Sequence, residues 1–358
     1  MTSRATAEKW LAQLTHLPTA SGMESAVVDW VARWVSRRAD LKLSRDTGGN
    51  VLITQKGRKN YHPILAVAHM DHPAFLITKV YGGMASYEFR GGVNKEYFQD
   101  AEVTVVSRSG GGSGRVATHS ASGDIGIMEV TGDVRVGDIA MWKMRKPRAR
   151  KDIFAAPACD DLAGCAAALA ALDRARGEPD LRHFGVMLTR AEEVGLIGAL
   201  HAAKHQTISL DTRVLSIETS RALSTAPIGA GPVIRTGDRS TVFDRELTNR
   251  ISRAAEEARI RHQRKLMDGG GCEATAFGSY GYQVAGLCVP LGYHHNRGNL
   301  DEFEKGLAAP VAMYEEISLS DFHGLIDLLM VAAYAVDEPD SIQKSLDRLY
   351  ESNSHYLS

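Results

Sequence analysis

The sequence predicts an α/β fold with an open sheet, interrupted once by a small β-domain. Two observations carry this expectation. First, five apolar runs each end in a histidine or an acid: ILAVA into His69 and Asp71, IFAAPAC into Asp160 and Asp161, HFGVMLTRA into Glu192 and Glu193, RVLSI into Glu218, and YQVAGLCVPLGYH into His295. Polar groups at the C-terminal ends of strands are how an open α/β sheet builds a site in the crevice at its edge. The five runs are expected to deliver their residues at the same end of one sheet. Second, between about Ala74 and Met144 the texture changes to short alternating segments separated by glycine-rich turns, the signature of a small β-domain.

The elements follow in order. Ala5 to Leu14 carries Trp10, Leu11 and Leu14 at helical spacing, and a Ser21–Gly22 break precedes a second helical pattern from Glu24 to Arg37. Asp46-Thr-Gly-Gly-Asn50 is a turn that leads into the strand VLITQ. Ile64 to Ala68 is continuous and apolar, as in a strand buried on both faces. The β-domain segments are FLITKV, SYEFR, AEVTVVSR, GRVATHS, IGIMEV and DIAMWKM, with Gly110 to Gly114 read as one of the turns. The α/β pattern resumes at Ile153, with helices expected at Leu162–Arg176, Leu196–His205 and Ser240–Arg259 and over the apolar stretch Ser320–Val336. No internal repeat is present.

Composition narrows the function classes. A chain of 358 residues with 44% hydrophobic and 24% charged content is expected to form one large or two ordinary globular domains. A net charge of −1 gives no electrostatic reason to expect nucleic acid or a membrane as partner. The basic run from Lys143 to Lys151 reads as a solvated linker, or as a segment that docks on an acidic surface. Cys159, Cys165, Cys272 and Cys288 show no CxxC spacing and make no disulfide framework, which fits a reducing compartment. The first residues lack the apolar stretch of a signal peptide, and no run approaches the ~20 residues that span a bilayer. The expected location is the cytoplasm.

The strand-end residues acquire meaning as a set. Two histidines and several acids are too many ligands for one structural zinc and suit two divalent ions sharing a carboxylate. His69 and Asp71 are two apart, so on a strand they share a face; His69 can bind a metal while Asp71 orients it. Alone, the pair is more often the mark of a structural histidine near a strand end. Asp160 and Asp161 precede an alanine-rich helix, where both can be caps. Asp161 lies nearer the cap position, leaving Asp160 as the bridging ligand. Cys159 beside them reads as a buried thiol more readily than as a soft ligand. Of the adjacent Glu192 and Glu193, one can bind metal while the other stays free as a base; the alternative is a pair of acids at a helix N-terminus. Glu218 ends a strand too apolar for a casual charge. Of His294 and His295, the second is preferred as a ligand.

Together HMD (69–71), CDDLAG (159–164), AEEVGLIGA (191–199), IE (217–218) and YHHN (293–296) resemble the tetrahedral and glutamyl aminopeptidase family over nearly the whole chain. The resemblance implies a three-layer, mixed-sheet α/β metallopeptidase domain formed by residues 1–73 and 150–358, with a small β-barrel-like domain, residues 74–149, inserted for oligomerisation or substrate access. It implies that His69, Asp160 and Glu218 bind one metal, that Asp160, Glu193 and His295 bind the other, that Glu192 is the base and that Asp71 supports catalysis. It further implies two divalent ions, zinc or cobalt, a peptide substrate, and a homo-oligomer assembled through the inserted domain. The chain departs from the family pattern at His72, where glutamate is common, at Leu162, where arginine is common, and at Glu218, where aspartate is usual. Gly270-Gly-Cys-Glu-Ala274 resembles a variant of a GGTDA motif near the substrate pocket. The expected reaction is dinuclear metal-dependent hydrolysis of N-terminal residues from peptides. Hydrolysis of another amide, by a deacylase or dipeptidase, is the alternative, and a non-catalytic metal-stabilised assembly protein is a lower one.

Overall fold

The computed structural model describes residues 2–57, 63–107, 110–335 and 342–357. Helices α1 (Arg4–Leu14) and α2 (Ser25–Ser36) precede strands β1 (Leu41–Arg45), β2 (Val51–Gln55) and β3 (Ile64–His69). Six strands follow: β4 (Ala74–Tyr81), β5 (Met84–Arg90), β6 (Glu102–Val106), β7 (Gly111–His119), β8 (Ile125–Asp133) and β9 (Ile139–Trp142). The chain continues through β10 (Arg148–Arg150), β11 (Ile153–Ala156), α3 (Leu162–Ala175), β12 (Phe184–Thr189), α4 (Ile197–Lys204), β13 (Arg213–Arg221) and β14 (Val233–Gly237). It closes with α5 (Arg245–Glu257), β15 (Gln263–Leu266), α6 (Glu273–Ser279), β16 (Gln283–Leu291), α7 (Leu300–Glu304), β17 (Glu315–Ser318), α8 (Leu319–Ala335) and α9 (Ile342–Asn353). Val336, the last residue of the expected C-terminal helix, lies outside the described residues.

An eight-stranded mixed sheet runs β1-β2-β12-β3-β13-β16-β14-β15. Its centre is parallel: β12 with β3, β3 with β13, and β13 with β16. β3 is buried along its whole length. Ile64, Ala66 and Ala68 face a core shared with α1, α2, α3, α5 and α8, while Leu65 and Val67 face a second core shared with α4 and α6. This alternation makes the sheet the middle of three layers. The alanine-rich α3 is buried on almost every side, because small side chains let its axis approach both the sheet and α8.

One expectation is corrected here. IFAAPAC does not join the large sheet. β11 pairs antiparallel with β10 and β17 in a separate three-stranded sheet. Pro157, which lacks an amide hydrogen, follows directly and ends the strand. Only four of the five runs therefore share one sheet edge, and Asp160 enters the crevice from outside it. The basic run is also only partly a linker, since Arg148–Arg150 is β10 and the Arg148 guanidinium lies 4.8 Å from the centroid of the Tyr314 ring. The helix expected from Ser240 begins at Arg245. Asp238 ties down the Ser240 and Thr241 amides in a turn, and Asp244 caps the Leu247 amide at 2.7 Å.

The six strands β4-β5-β8-β7-β6-β9 close into a barrel around Phe75, Tyr87, Phe98 and Trp142. Gly111 to Gly114, read from the sequence as a turn, lies inside β7 and pairs with both β6 and β8. The glycines are there because the backbones approach closely: a Cβ on Gly112 would fall 1.8 Å from the Thr131 carbonyl oxygen. Among the described residues no helix is long and apolar enough to cross a membrane. Gly112→Ala is expected to destabilise the protein by about 1–3 kcal/mol through overpacking, read as a lower midpoint in denaturant unfolding of the purified protein.

Candidate active site

The parallel strands place His69 at the end of β3, opposite Thr189 at the end of β12. Glu192 and Glu193 follow β12 in the next turn. Glu218 lies within β13 rather than at its end, because the strand runs on to Arg221. His295 follows β16, and Asp160 comes from the loop between β11 and α3. The structure brings all these residues together. His69, Asp160 and Glu218 offer ligand atoms within 4.8 Å of one another, as do His69, Glu192 and Glu193, and also Asp160, His294 and His295. Asp160 is central: its Oδ1 is 3.5 Å from His69 Nε2, and its Oδ2 is 3.1 Å from His294 Nε2 and 3.5 Å from His295 Nε2. His295 Nε2 also lies 3.1 Å from Glu193 Oε2. Cys159 is fully buried, its sulfur 3.8 Å from the Glu315 carbonyl oxygen, and belongs to none of the ligand groups found among the described residues.

The hydrogen-bond partners sort the histidines. A ring nitrogen facing a carbonyl must carry the hydrogen, which in the neutral ring leaves the lone pair on the other nitrogen. His69 Nδ1 faces the Asp71 carbonyl at 3.1 Å, and His295 Nδ1 faces the Gly92 carbonyl at 2.8 Å. In the neutral ring that a metal binds, each therefore turns its Nε2 lone pair into the cluster, the arrangement of a metal-ligating histidine. His294 is the reverse. Arg297 Nη2 donates to its Nδ1 at 3.1 Å, so its Nε2 carries hydrogen toward Asp160. Partner geometry thus separates two adjacent histidines that both lie within reach.

The carboxylates divide as well. Asp71 is fully buried and accepts the Ser21 hydroxyl at 2.6 Å and the amides of Glu192 and Glu193 at 3.0 and 3.1 Å. Burial pushes its carboxyl up, but the bonds from His69 and Ser21 outweigh this and hold it low. Burial also opposes ionisation of Asp160, yet His294, His295 and His69 keep it well below the usual range. Glu192 is driven well above its ordinary value by burial, with Glu218 and Glu193 adding to the effect against His69. Burial raises Glu218 to about 8. Buried oxygens on Asp160 (Oδ1), Glu193 (Oε1) and Glu218 (Oε1) have no hydrogen-bond partner. Unsatisfied carboxylate oxygens beside imidazole nitrogens are a donor set that a divalent metal accepts, so the residues fit a metal.

Asp161 corrects the expectation of a helix cap. It occupies the N-cap position of α3, but its side chain caps no amide. It accepts the Thr219 hydroxyl at 2.7 Å instead, and burial raises its carboxyl well above the ordinary value.

Sequence reasoning missed the supports. Glu24, fully buried, accepts the Gly22 and Ala191 amides at 2.7 and 3.1 Å and the Arg190 Nε at 2.7 Å. At the start of α2 it reads in sequence as an ordinary helix-dipole acid. Its work is to hold a loop in which Ala191 and Leu196 sit at φ 52° and 61°, a left-handed conformation that costs about 1–2 kcal/mol per non-glycine residue. Tyr293, His295 and Asn296 sit at φ 57°, 57° and 62° on the opposite side, so both glutamate and histidine loops are strained where they carry the site. Replacing Glu24 by alanine is expected to cost about 1.5–3 kcal/mol through the lost charged hydrogen bonds. Denaturant unfolding would register it, and unchanged stability would show the loop to be held by other contacts.

A family model described as M42 glutamyl aminopeptidase matches residues 124–305, just over half of the chain. Solved structures share the fold. An aminopeptidase from the archaeon Desulfurococcus kamchatkensis is 23% identical, with 93% of this chain and 95% of that chain covered and a TM-score of 0.74. A TET aminopeptidase from a marine-sediment Thaumarchaeota archaeon is 21% identical, with 94% and 98% covered and a TM-score of 0.77. The TET1 peptidase of Pyrococcus horikoshii, which can assemble into a tetrahedron or a large octahedral shell, is 22% identical, with 92% and 99% covered and a TM-score of 0.75. With the matched segment spanning Asp160, Glu192, Glu193, Glu218 and His295, the chain belongs to the M42 glutamyl aminopeptidase family and is a metal-dependent aminopeptidase.

Proposed function

We propose that this aminopeptidase works with two divalent ions, zinc or cobalt, and removes N-terminal residues from peptides. His69, Asp160 and Glu218 would hold one ion, and Asp160, Glu193 and His295 the other. The observation that carries this reading is the placement of Asp160, with one oxygen toward His69 and the other toward His295. When bound, such a pair supplies Lewis acidity at the scissile carbonyl and lowers the pKa of a water. Glu192, whose Oε2 lies 3.9 Å from His69 Nε2, takes the proton of the attacking water and returns it to the leaving amine. Asp71 fixes the Glu192 and Glu193 amides, and so sets where both carboxylates reach. We further propose that residues 74–149 form an inserted unit through which copies of the chain associate, a reading supported by the closed barrel and by the assemblies of the Pyrococcus relative.

Glu192→Gln is expected to keep both ions and lose about 10²–10⁴-fold in turnover; wild-type rates on an aminoacyl-peptide panel would remove Glu192 from the role of base. Asp160→Ala is expected to lose metal as well as activity, and two ions retained in that variant, by elemental analysis, would rule out a shared ligand. Chelation should abolish turnover by the wild-type enzyme, and zinc or cobalt should restore it.

A further inference from the structure

Glu315, the first residue of β17, is fully buried and lies beyond the segment that matches the family model. Its carboxylate bonds three backbone amides. Oε2 accepts Cys159 N–H at 2.7 Å and Asp160 N–H at 3.0 Å, and Oε1 accepts His295 N–H at 2.7 Å. One side chain thus ties the two loops that bring Asp160 and His295 to the site. A second buried residue, His72, braces the same loops from the opposite side. Its Nδ1 donates to the Asp160 carbonyl at 2.7 Å, and its Nε2 lies 3.2 Å from Asn296 Oδ1. The Asn296 amide is itself oriented, because its Nδ2 donates to the Pro157 and Met313 carbonyls at 2.9 and 3.0 Å. Asp160 is therefore held at its own N–H by Glu315 and at its own C=O by His72.

We propose that Glu315 and His72 form a positioning pair that fixes the backbones of the Asp160 and His295 loops and so presets the spacing of the metal site. Neither residue belongs to a ligand group among the described residues; they act through the peptide units that carry the ligands. The pair has a physical task. His295 and its neighbours Tyr293 and Asn296 stand in left-handed conformations that relax unless an outside bond holds them. Asp160 leaves a different sheet from the other ligands, so its distance to them is not set by strand pairing. A buried acid with three amides, opposed by an imidazole whose two nitrogens both face acceptors, supplies what the sheet does not. The proposal rests on the ligand assignment made above.

The full-length protein, stripped of metal and reloaded with cobalt(II), tests it by chelator competition and by the visible absorption of the cobalt. Glu315→Gln places an amide NH₂ against at least one of the three N–H groups and is expected to weaken cobalt binding about ten- to hundredfold with an altered spectrum. His72→Leu, which removes the bond to the Asp160 carbonyl and the contact with Asn296, is expected to do the same. His72→Asn, which retains a donor near the Nδ1 position, should stay close to wild type. If Glu315→Gln does not fold, the two His72 variants decide alone. Wild-type affinity and spectrum in Glu315→Gln or His72→Leu, or equal losses in His72→Leu and His72→Asn, would overturn the pair. Failure of the wild-type protein itself to bind cobalt would instead sink the ligand assignment, and the pair with it.

Discussion

Burying negative charge is the problem around which this molecule is built. Asp71, Asp160, Asp161 and Glu218 are buried, and Glu192 and Glu193 lie close beside them. An ionised carboxylate removed from water costs many kcal/mol unless it is paired, hydrogen-bonded or neutralised. Each of these remedies is present. Asp71 is satisfied by two amides and a hydroxyl. Asp161 is pushed toward its neutral form and takes a hydroxyl from Thr219. Asp160, Glu193 and Glu218 each keep an oxygen with no hydrogen-bond partner, which a bound cation would satisfy. Folding and metal uptake are on this account linked, since part of the desolvation cost is offset only when the ion arrives.

That linkage explains why the surrounding polar groups are backbone-directed. Glu24 spends its carboxylate on the amides of Gly22 and Ala191, and Asp71 on those of Glu192 and Glu193. A side chain that bonds a neighbouring amide fixes a loop's path without presenting a competing donor to the ligand atoms. The loops pay for their left-handed residues with these bonds, and in return the acids arrive at defined positions.

Much of this was legible in the chain. The continuous apolar run Ile64 to Ala68 told of a doubly covered parallel strand, because burial on both faces removes alternation. The alternating segments after Ala74 told of a small all-β unit. The residues brought together at the crevice were visible as interruptions of apolar runs, since a charge is tolerated there only with a partner. What remained hidden is non-local. IFAAPAC resembles a core strand in composition, and only its pairing with β10 and β17 assigns it to another sheet. Gly111 to Gly114 has turn composition, yet backbone contact with β8 demands the same residue type. Glu24 and Thr219 are ordinary by local pattern, and their significance comes from partners 167 and 58 residues away.

The bond from His295 Nδ1 to the Gly92 carbonyl ties the barrel to the chemistry in a way that the linear order of the chain conceals. Gly92 lies two residues past β5, more than two hundred residues before its partner, yet it determines which nitrogen of the neutral imidazole keeps the lone pair. Arg90, at the end of the same strand, reaches the Ser21 carbonyl at 2.8 Å, next to the hydroxyl that steadies Asp71. The barrel therefore cannot be excised as a detachable appendage: a chain trimmed of it would keep every ligand and lose the acceptor that selects the tautomer of one.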